Sequence, residues 1–209
     1  MSILSSSSSF LKYKIKEDLQ ANSSTLSIDQ IRTSLKKNRF PDIINSETSE
    51  MTAGWTTLES PFDPDFETDP LTYGKYIIFS LRMDKKVIPK KIVEKELAIE
   101  TKKILKEGQR DFISKKEKST IKEDIILKLS LIIPSTPDIY NVVWIPETGE
   151  ILFFSLSKAV NEVFENLFRT SFSKPVIRIF PYTKIFFSKN VKDADKDKFY
   201  NIKPYTLQD

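Results

Sequence analysis

The chain contains neither histidine nor cysteine. That excludes Ser-His-Asp and Cys-His catalytic arrangements, thiol redox chemistry, disulfides and the usual zinc sites, each of which needs one of those side chains. Glycine is almost as scarce, and Gly54, Gly74, Gly108 and Gly149 stand too far apart to build a phosphate-cradling loop or a G-x-G-x-x-G turn. Long apolar runs are missing too: they stop at about four residues, as in Ile151 to Phe154, where a membrane helix needs ~20. The opening segment Met1 to Phe10, mostly Ser5 to Ser9, does not follow a secretory pattern, so a cytoplasmic location is expected. The catalytic vocabulary left is Asp, Glu, Lys, Tyr, Ser and Thr.

What is there suffices for a core. The 209 residues are 39% apolar and 11% aromatic, enough for one good-sized domain or two small ones, and 30% charged residues favour solubility. Phe10, Leu11, Tyr13 and Ile15 interleave with Lys12, Lys14 and Lys16, the period of a half-buried strand. Ser27 and Gln30 have capping-box spacing ahead of Ile28, Ile31 and Leu35, which predicts a helix. Met51 to Leu58 reads as a strand. Lys75 to Leu81 and Lys85 to Ile88 read as a hairpin turning at Met83-Asp84.

Pro89 and Gly108 bracket a long helix, with Val93, Leu97 and Ile104 on one side and Ala98 and Leu105 beside them. A polar connector, Gln109 to Lys118, leads to a second helix, with a capping box placed at Thr120 and Glu123 and an end at Pro134. A hairpin follows, Ile139 to Ile145 and Glu150 to Leu156, turning at Glu147-Thr148-Gly149. Ser157 opens a helix through Phe168, Pro175 to Pro181 is a strand, and Ser188 to Asp209 is a polar tail. This pattern predicts an α+β fold with largely antiparallel sheets and about four helices. Residues 1–187 form the folded region, divisible into 1–88 with 139–187 and a helical part 89–134; 188–209 form the tail.

Charge is divided unevenly. Between Lys85 and Lys122 stand thirteen bases and six acids, so that segment is +7 while the whole chain is only +4. On the long helix Lys91, Lys95, Lys102, Lys103 and Lys106 fall within an arc of about 120°, largely opposite the apolar side, with Glu96, Glu100 and Glu107 between. Three readings fit: a solvated helix face, a surface that tracks phosphates, or a dock for an acidic protein. With no base-reading Asn, Gln or Arg on that face, DNA contact here would be sequence-independent.

The complementary acidic stretch, Asn45 to Pro70, holds seven acids and no base. Asp63, Asp65, Glu67 and Asp69 alternate as in a calcium loop, but Thr68 stands where glycine is required and Gly74 where glutamate is, so a surface loop is the expectation. Trp55 and Trp144, in strand contexts, are expected in the core.

Several segments in order resemble the RdgC family of recombination-associated DNA-binding proteins. They are Met51-Thr52-Ala53-Gly54-Trp55, Gly74-Lys75-Tyr76-Ile77-Ile78, Asp84 through Pro89, Lys115-Lys116-Glu117-Lys118, Ile132-Ile133-Pro134, Val142-Val143-Trp144-Ile145 and Glu147-Thr148-Gly149. The likeness covers roughly Phe10 to Thr183 and departs after Pro134, where Ser135-Thr136-Pro137-Asp138 replaces an Arg and a Phe. It implies a homodimeric ring encircling duplex DNA with little sequence preference, a bacterial, nucleoid-associated place in DNA recombination, and restraint of a RecA-type recombinase. Some members carry an exonuclease label; the residues give it no independent support, and no cofactor or metal is expected.

The resulting expectation is a non-enzymatic DNA-binding protein whose site is a patch: Lys85, Lys86, Lys91, Lys95, Lys102, Lys103, Lys106, Arg110, Lys115, Lys116 and Lys118. The alternative is a protein-interaction or self-association module using the basic and acidic surfaces. A magnesium-dependent nuclease built on Glu59 to Asp69 is the remaining rival.

Overall fold

The computed structural model describes residues 7–16, 26–41, 51–109 and 111–186. The fold is α+β, with five helices among the described residues. The chain divides into two compact units: residues 1–39, 55–81 and 140–209 make the first, and residues 40–54 and 82–139 the second.

One sheet takes strands β1 (Leu11–Ile15), β2 (Met51–Thr56), β3 (Thr72–Tyr73), β4 (Tyr76–Lys85), β5 (Thr136–Ile145), β6 (Glu150–Phe153) and β7 (Val176–Arg178). Their order is β2-β4-β5-β6-β1-β7, with β3 hydrogen-bonded to β4. The pairs β1–β6, β1–β7, β3–β4 and β5–β6 are antiparallel. Two hairpin turns use glycine at positive φ, Gly74 at +63° and Gly149 at +65°, where the strand twist asks for a conformation that other residues resist.

Helices α1 (Ile28–Lys37) and α4 (Lys158–Phe172) pack against each other and bury clean apolar stripes. The capping box expected at Ser27 and Gln30 is formed. The core is aromatic: Phe164 of α4 stacks on Phe153 of β6 with centroids 4.2 Å apart, and Trp55 meets Phe79 edge-on at 5.1 Å. Trp144 packs edge-on against Phe168 and Phe172, so both tryptophans are core residues. Residues one step along the strands, Ile78 and Val143, join Phe154 in a second cluster backed by Leu58, Tyr73 and Leu152.

Polar groups in this core are largely paired. Trp55 Nε1 donates to Ser171 Oγ at 2.7 Å, and Asn141 Nδ2 to Ser80 Oγ at 3.0 Å. The Tyr13 hydroxyl lies 2.7 Å from Asn161 Oδ1 and 2.9 Å from Glu165 Oε1, while Asn161 Nδ2 donates to the carbonyls of Ser155 and Ser157. Burial first, then the Glu165 carboxylate, push the Tyr13 phenol above its ordinary value.

The second unit is built on α2 (Lys90–Glu107) and α3 (Lys115–Ile132), which pack together. Each is 18 residues long, yet α2 buries only Val93 and α3 only Ile125. Arg82 joins Asp84 through two 2.8 Å hydrogen bonds and lies with its guanidinium 4.1 Å from the Phe40 ring centroid.

Several element boundaries differ from those expected. Met83-Asp84 is no turn: β4 runs unbroken through it, because Met83 is buried and Arg82, two residues away on the same strand face, neutralises Asp84. The hairpin turns instead at Gly74-Lys75. Helix α3 starts at Lys115, not near Thr120, because Ser114 and Glu117 form the capping box; Thr120 bonds its hydroxyl to the Lys116 carbonyl inside the helix. A short helix, α5 (Pro181–Phe186), follows β7. The expected tail 188–209 lies outside the described residues.

Candidate nucleic-acid interface

Within the second unit the positive charge is concentrated in the segment from Lys85 to Lys122, with thirteen bases against six acids. On α2, Lys91, Lys95, Lys102 and Lys106 occupy an arc of about 60° at 100° per residue, and all four are exposed. From Lys91 to Lys106 the row runs about 22 Å at ~1.5 Å per residue, the length of roughly six base-pair steps. Lys103 stands farther round and faces Glu100 at 3.9 Å, and Lys95 has Glu96 at 3.8 Å, both loose, exposed pairs.

The surface beside the arc is not purely basic. Ile92 and Ile99, 39% and 50% exposed, fall between it and Lys103, so exposed apolar side chains border the charges. Between the lysine arc and the apolar face of α2, Glu96 and Glu100 are half-buried.

Lys115, Lys116 and Lys118 open α3 and are all exposed, but they project in different directions around it. Three bases in a first turn oppose the helix dipole, and the Ser114–Glu117 capping box offsets this with paired amides and one carboxylate. Lys85 ends β4 half-exposed, whereas Lys86 Nζ donates to the Ser130 carbonyl at 3.0 Å and is thereby tied to α3. Arg110 lies outside the described residues. The structure therefore aligns four of the expected residues in one row and leaves the other described ones off it. It adds exposed Lys90 and Lys122, which share the lysine-rich composition but not the arc that selected the others.

Phe112 is a further addition to the expected set. In the turn between α2 and α3 it is 77% exposed. Its signal in the sequence is a lone aromatic inside a largely polar connector. Next to that turn an open groove is lined by Ile104, Ile113, Ser114, Lys116, Glu117, Thr120 and Ile121.

The acidic loop is held down, not free. Phe66 and Leu71 are buried, Arg32 of α1 donates to the carbonyls of Phe66 and Asp69, and Lys36 pairs with Glu67. Asp69 accepts from the Thr57 hydroxyl, and Asp65 accepts from the Thr68 hydroxyl and the Glu67 amide. Those last two bonds, the hydroxyl first, hold the Asp65 carboxyl below its ordinary range. No group of three or more His, Cys, Asp or Glu residues placed to hold a metal ion occurs among the described residues. No helix among them is long and apolar enough to cross a membrane.

Fold and surface together define an α+β protein in which an aromatic sheet-and-helix unit accompanies a lysine-rich helical pair. The chain belongs to the RdgC family: the family model described as "Putative exonuclease, RdgC" matches residues 9–184. Membership points to a role connected with DNA. A comparison with curated proteins finds no match.

Proposed function

We propose that this protein binds DNA without sequence preference, through the lysine row of α2 and the basic residues at the start of α3, and takes part in recombination control as a nucleoid-associated homodimer. The observation that carries the reading is the row Lys91, Lys95, Lys102 and Lys106, exposed on one helix face. Each such lysine near a phosphate displaces a condensed counterion, so affinity falls with salt at a slope of about −0.9 per contact. Lysine recognises charge and not base identity, which fits binding to unrelated duplexes.

The reading is of binding without cleavage, in the cytoplasm, with restraint of a recombinase following from occupancy of the DNA. Three carboxylates of the acidic loop have partners within the fold, Glu67 with Lys36, Asp69 with the Thr57 hydroxyl and Asp65 with the Thr68 hydroxyl, which supports the reading. Incubating the protein with labelled duplex and magnesium or manganese is expected to leave the DNA intact; cleavage that tracks the protein would replace this reading with the nuclease one.

The direct test is fluorescence anisotropy of unrelated duplexes across a salt series. Binding with a steep negative slope, weakened when Lys95, Lys102 and Lys106 are changed to Glu, is the expected result. Unchanged affinity in that variant would sink the reading. Salt-sensitive self-association with no DNA binding would favour the protein-interaction alternative, for which the division between basic and acidic segments is the motivating observation.

A further inference from the structure

Phe112 is the most exposed large apolar side chain among the described residues, at 77%, and it sits in the turn joining the two lysine-rich helices. The helix ends flanking the turn are set locally: Gly108 closes α2 by donating to the Ile104 carbonyl, and the Ser114 capping box starts α3 two residues after the ring. Ile113, its neighbour, is half-buried against the groove, which anchors the turn while Phe112 faces solvent.

The surroundings select among ligands for that ring. From Lys102 to Lys118 the sequence carries seven bases and three acids, a rim that attracts a polyanion and repels a cationic surface. A second exposed ring provides the contrast: Phe62, 62% exposed, lies in the acidic stretch that contains no base. An aromatic platform amid lysines is the combination with which proteins hold single strands, the charges following the backbone and the ring taking the π-face of a base. A paired base offers no such face, because both its sides are already covered by neighbours and insertion must first break that stacking.

We propose that Phe112 stacks on an unpaired base of DNA held by the surrounding lysines, so that the helical pair distinguishes gapped or frayed DNA from continuous duplex. The inference rests on the DNA-binding reading above and deepens it. Stacking of this kind is sequence-tolerant and independent of salt, whereas the lysine contribution is salt-dependent, so the two separate experimentally.

The experiment measures anisotropy of a continuous duplex and of the same duplex carrying a short single-stranded gap, with the full chain and its Phe112→Ala, Phe112→Tyr and Phe62→Ala variants, and sedimentation of each free protein. Phe112→Ala is expected to weaken gapped-DNA binding about tenfold while leaving duplex affinity and both salt slopes unchanged, the signature of one lost stack. Phe112→Tyr should restore the preference, and Phe62→Ala should match the parent. Equal losses on both DNAs, no loss on either, or a changed sedimentation of the Phe112→Ala protein, which would mean that a second copy covers the ring, would each overturn the proposal. If the parent chain binds neither DNA at low salt, the DNA-binding reading falls and this inference with it; parent binding that ignores Phe112 removes this inference alone.

Discussion

The two units spend similar lengths of helix in opposite ways. In the first, 15-residue α4 buries Val160, Asn161, Phe164, Phe168 and Phe172, and α1 buries Ile31 and Leu35, so apolar side chains are sorted onto one face and sealed against the sheet. In the second, α2 and α3 bury one residue each over 18, while Ile92, Ile99, Leu127 and Leu131 remain exposed and lysines surround them. Helical stability in proteins comes chiefly from packing an amphipathic face. The first unit therefore holds its shape by burial, and the second depends on local propensity, caps and a thin seam, leaving most of its surface for charge.

Substitutions aimed at one unit or the other should break or sharpen that contrast. The largest loss is expected for Phe164→Ala, which removes a fully buried ring stacked on Phe153 and in contact with Trp55 and Tyr13; about 3–5 kcal/mol should disappear from the urea unfolding free energy. A cost under ~1 kcal/mol there would mean that the aromatic cluster is not the stabilising centre of its unit.

Next comes the triple charge reversal of Lys95, Lys102 and Lys106. It should lower DNA affinity at moderate salt by roughly two orders of magnitude and flatten the log-log salt slope by about three, with the unfolding midpoint little changed. Ile125→Ala, in the seam of the second unit, should cost about 2 kcal/mol or somewhat more. Hydrogen exchange gives the sharper readout: amides of α2 and α3 should lose protection while those of β1 and β6 keep theirs.

Smaller effects follow from the caps. Ser27→Ala and Ser114→Ala each remove a side chain that accepts from a helix amide, at a cost of about 1 kcal/mol. The first should appear in global unfolding and the second only in exchange at the start of α3. Alkaline pH supplies a readout of the first unit. Because burial and Glu165 raise the Tyr13 pKa in the fold above its ordinary 10.0, the associated stability is complete below pH ~10 and declines as pH rises beyond it; Tyr13→Phe should remove that decline, as measured by thermal unfolding at a series of alkaline pH values.

Features governed by neighbouring residues are legible in the amino-acid order. The Ser27–Gln30 capping box, the Pro89 and Gly108 ends of α2, the Gly149 turn and the strand period around Tyr13 all depend on contacts a few residues apart. The charge-rich segment is legible for the same reason, since composition survives folding unchanged. Met83-Asp84 mimics a turn because Asp84 looks like a turn residue until Arg82 is seen beside it in the strand. The start of α3 is ambiguous along the chain because Thr120-x-x-Glu123 and Ser114-x-x-Glu117 have the same spacing.

By itself, then, the amino-acid order determined the class of fold, most helix ends and the place along the chain where positive charge concentrates, because each of these depends on periodicity or local chemistry. Tertiary structure alone decided which of two equivalent caps is used, that Lys86 is spent on the Ser130 carbonyl, that the acidic loop is fastened to α1 by Arg32 and Lys36, and that Phe112 is left outside. Those outcomes turn on which groups, distant in sequence, come within hydrogen-bonding or van der Waals reach, and linear spacing carries no information about that distance.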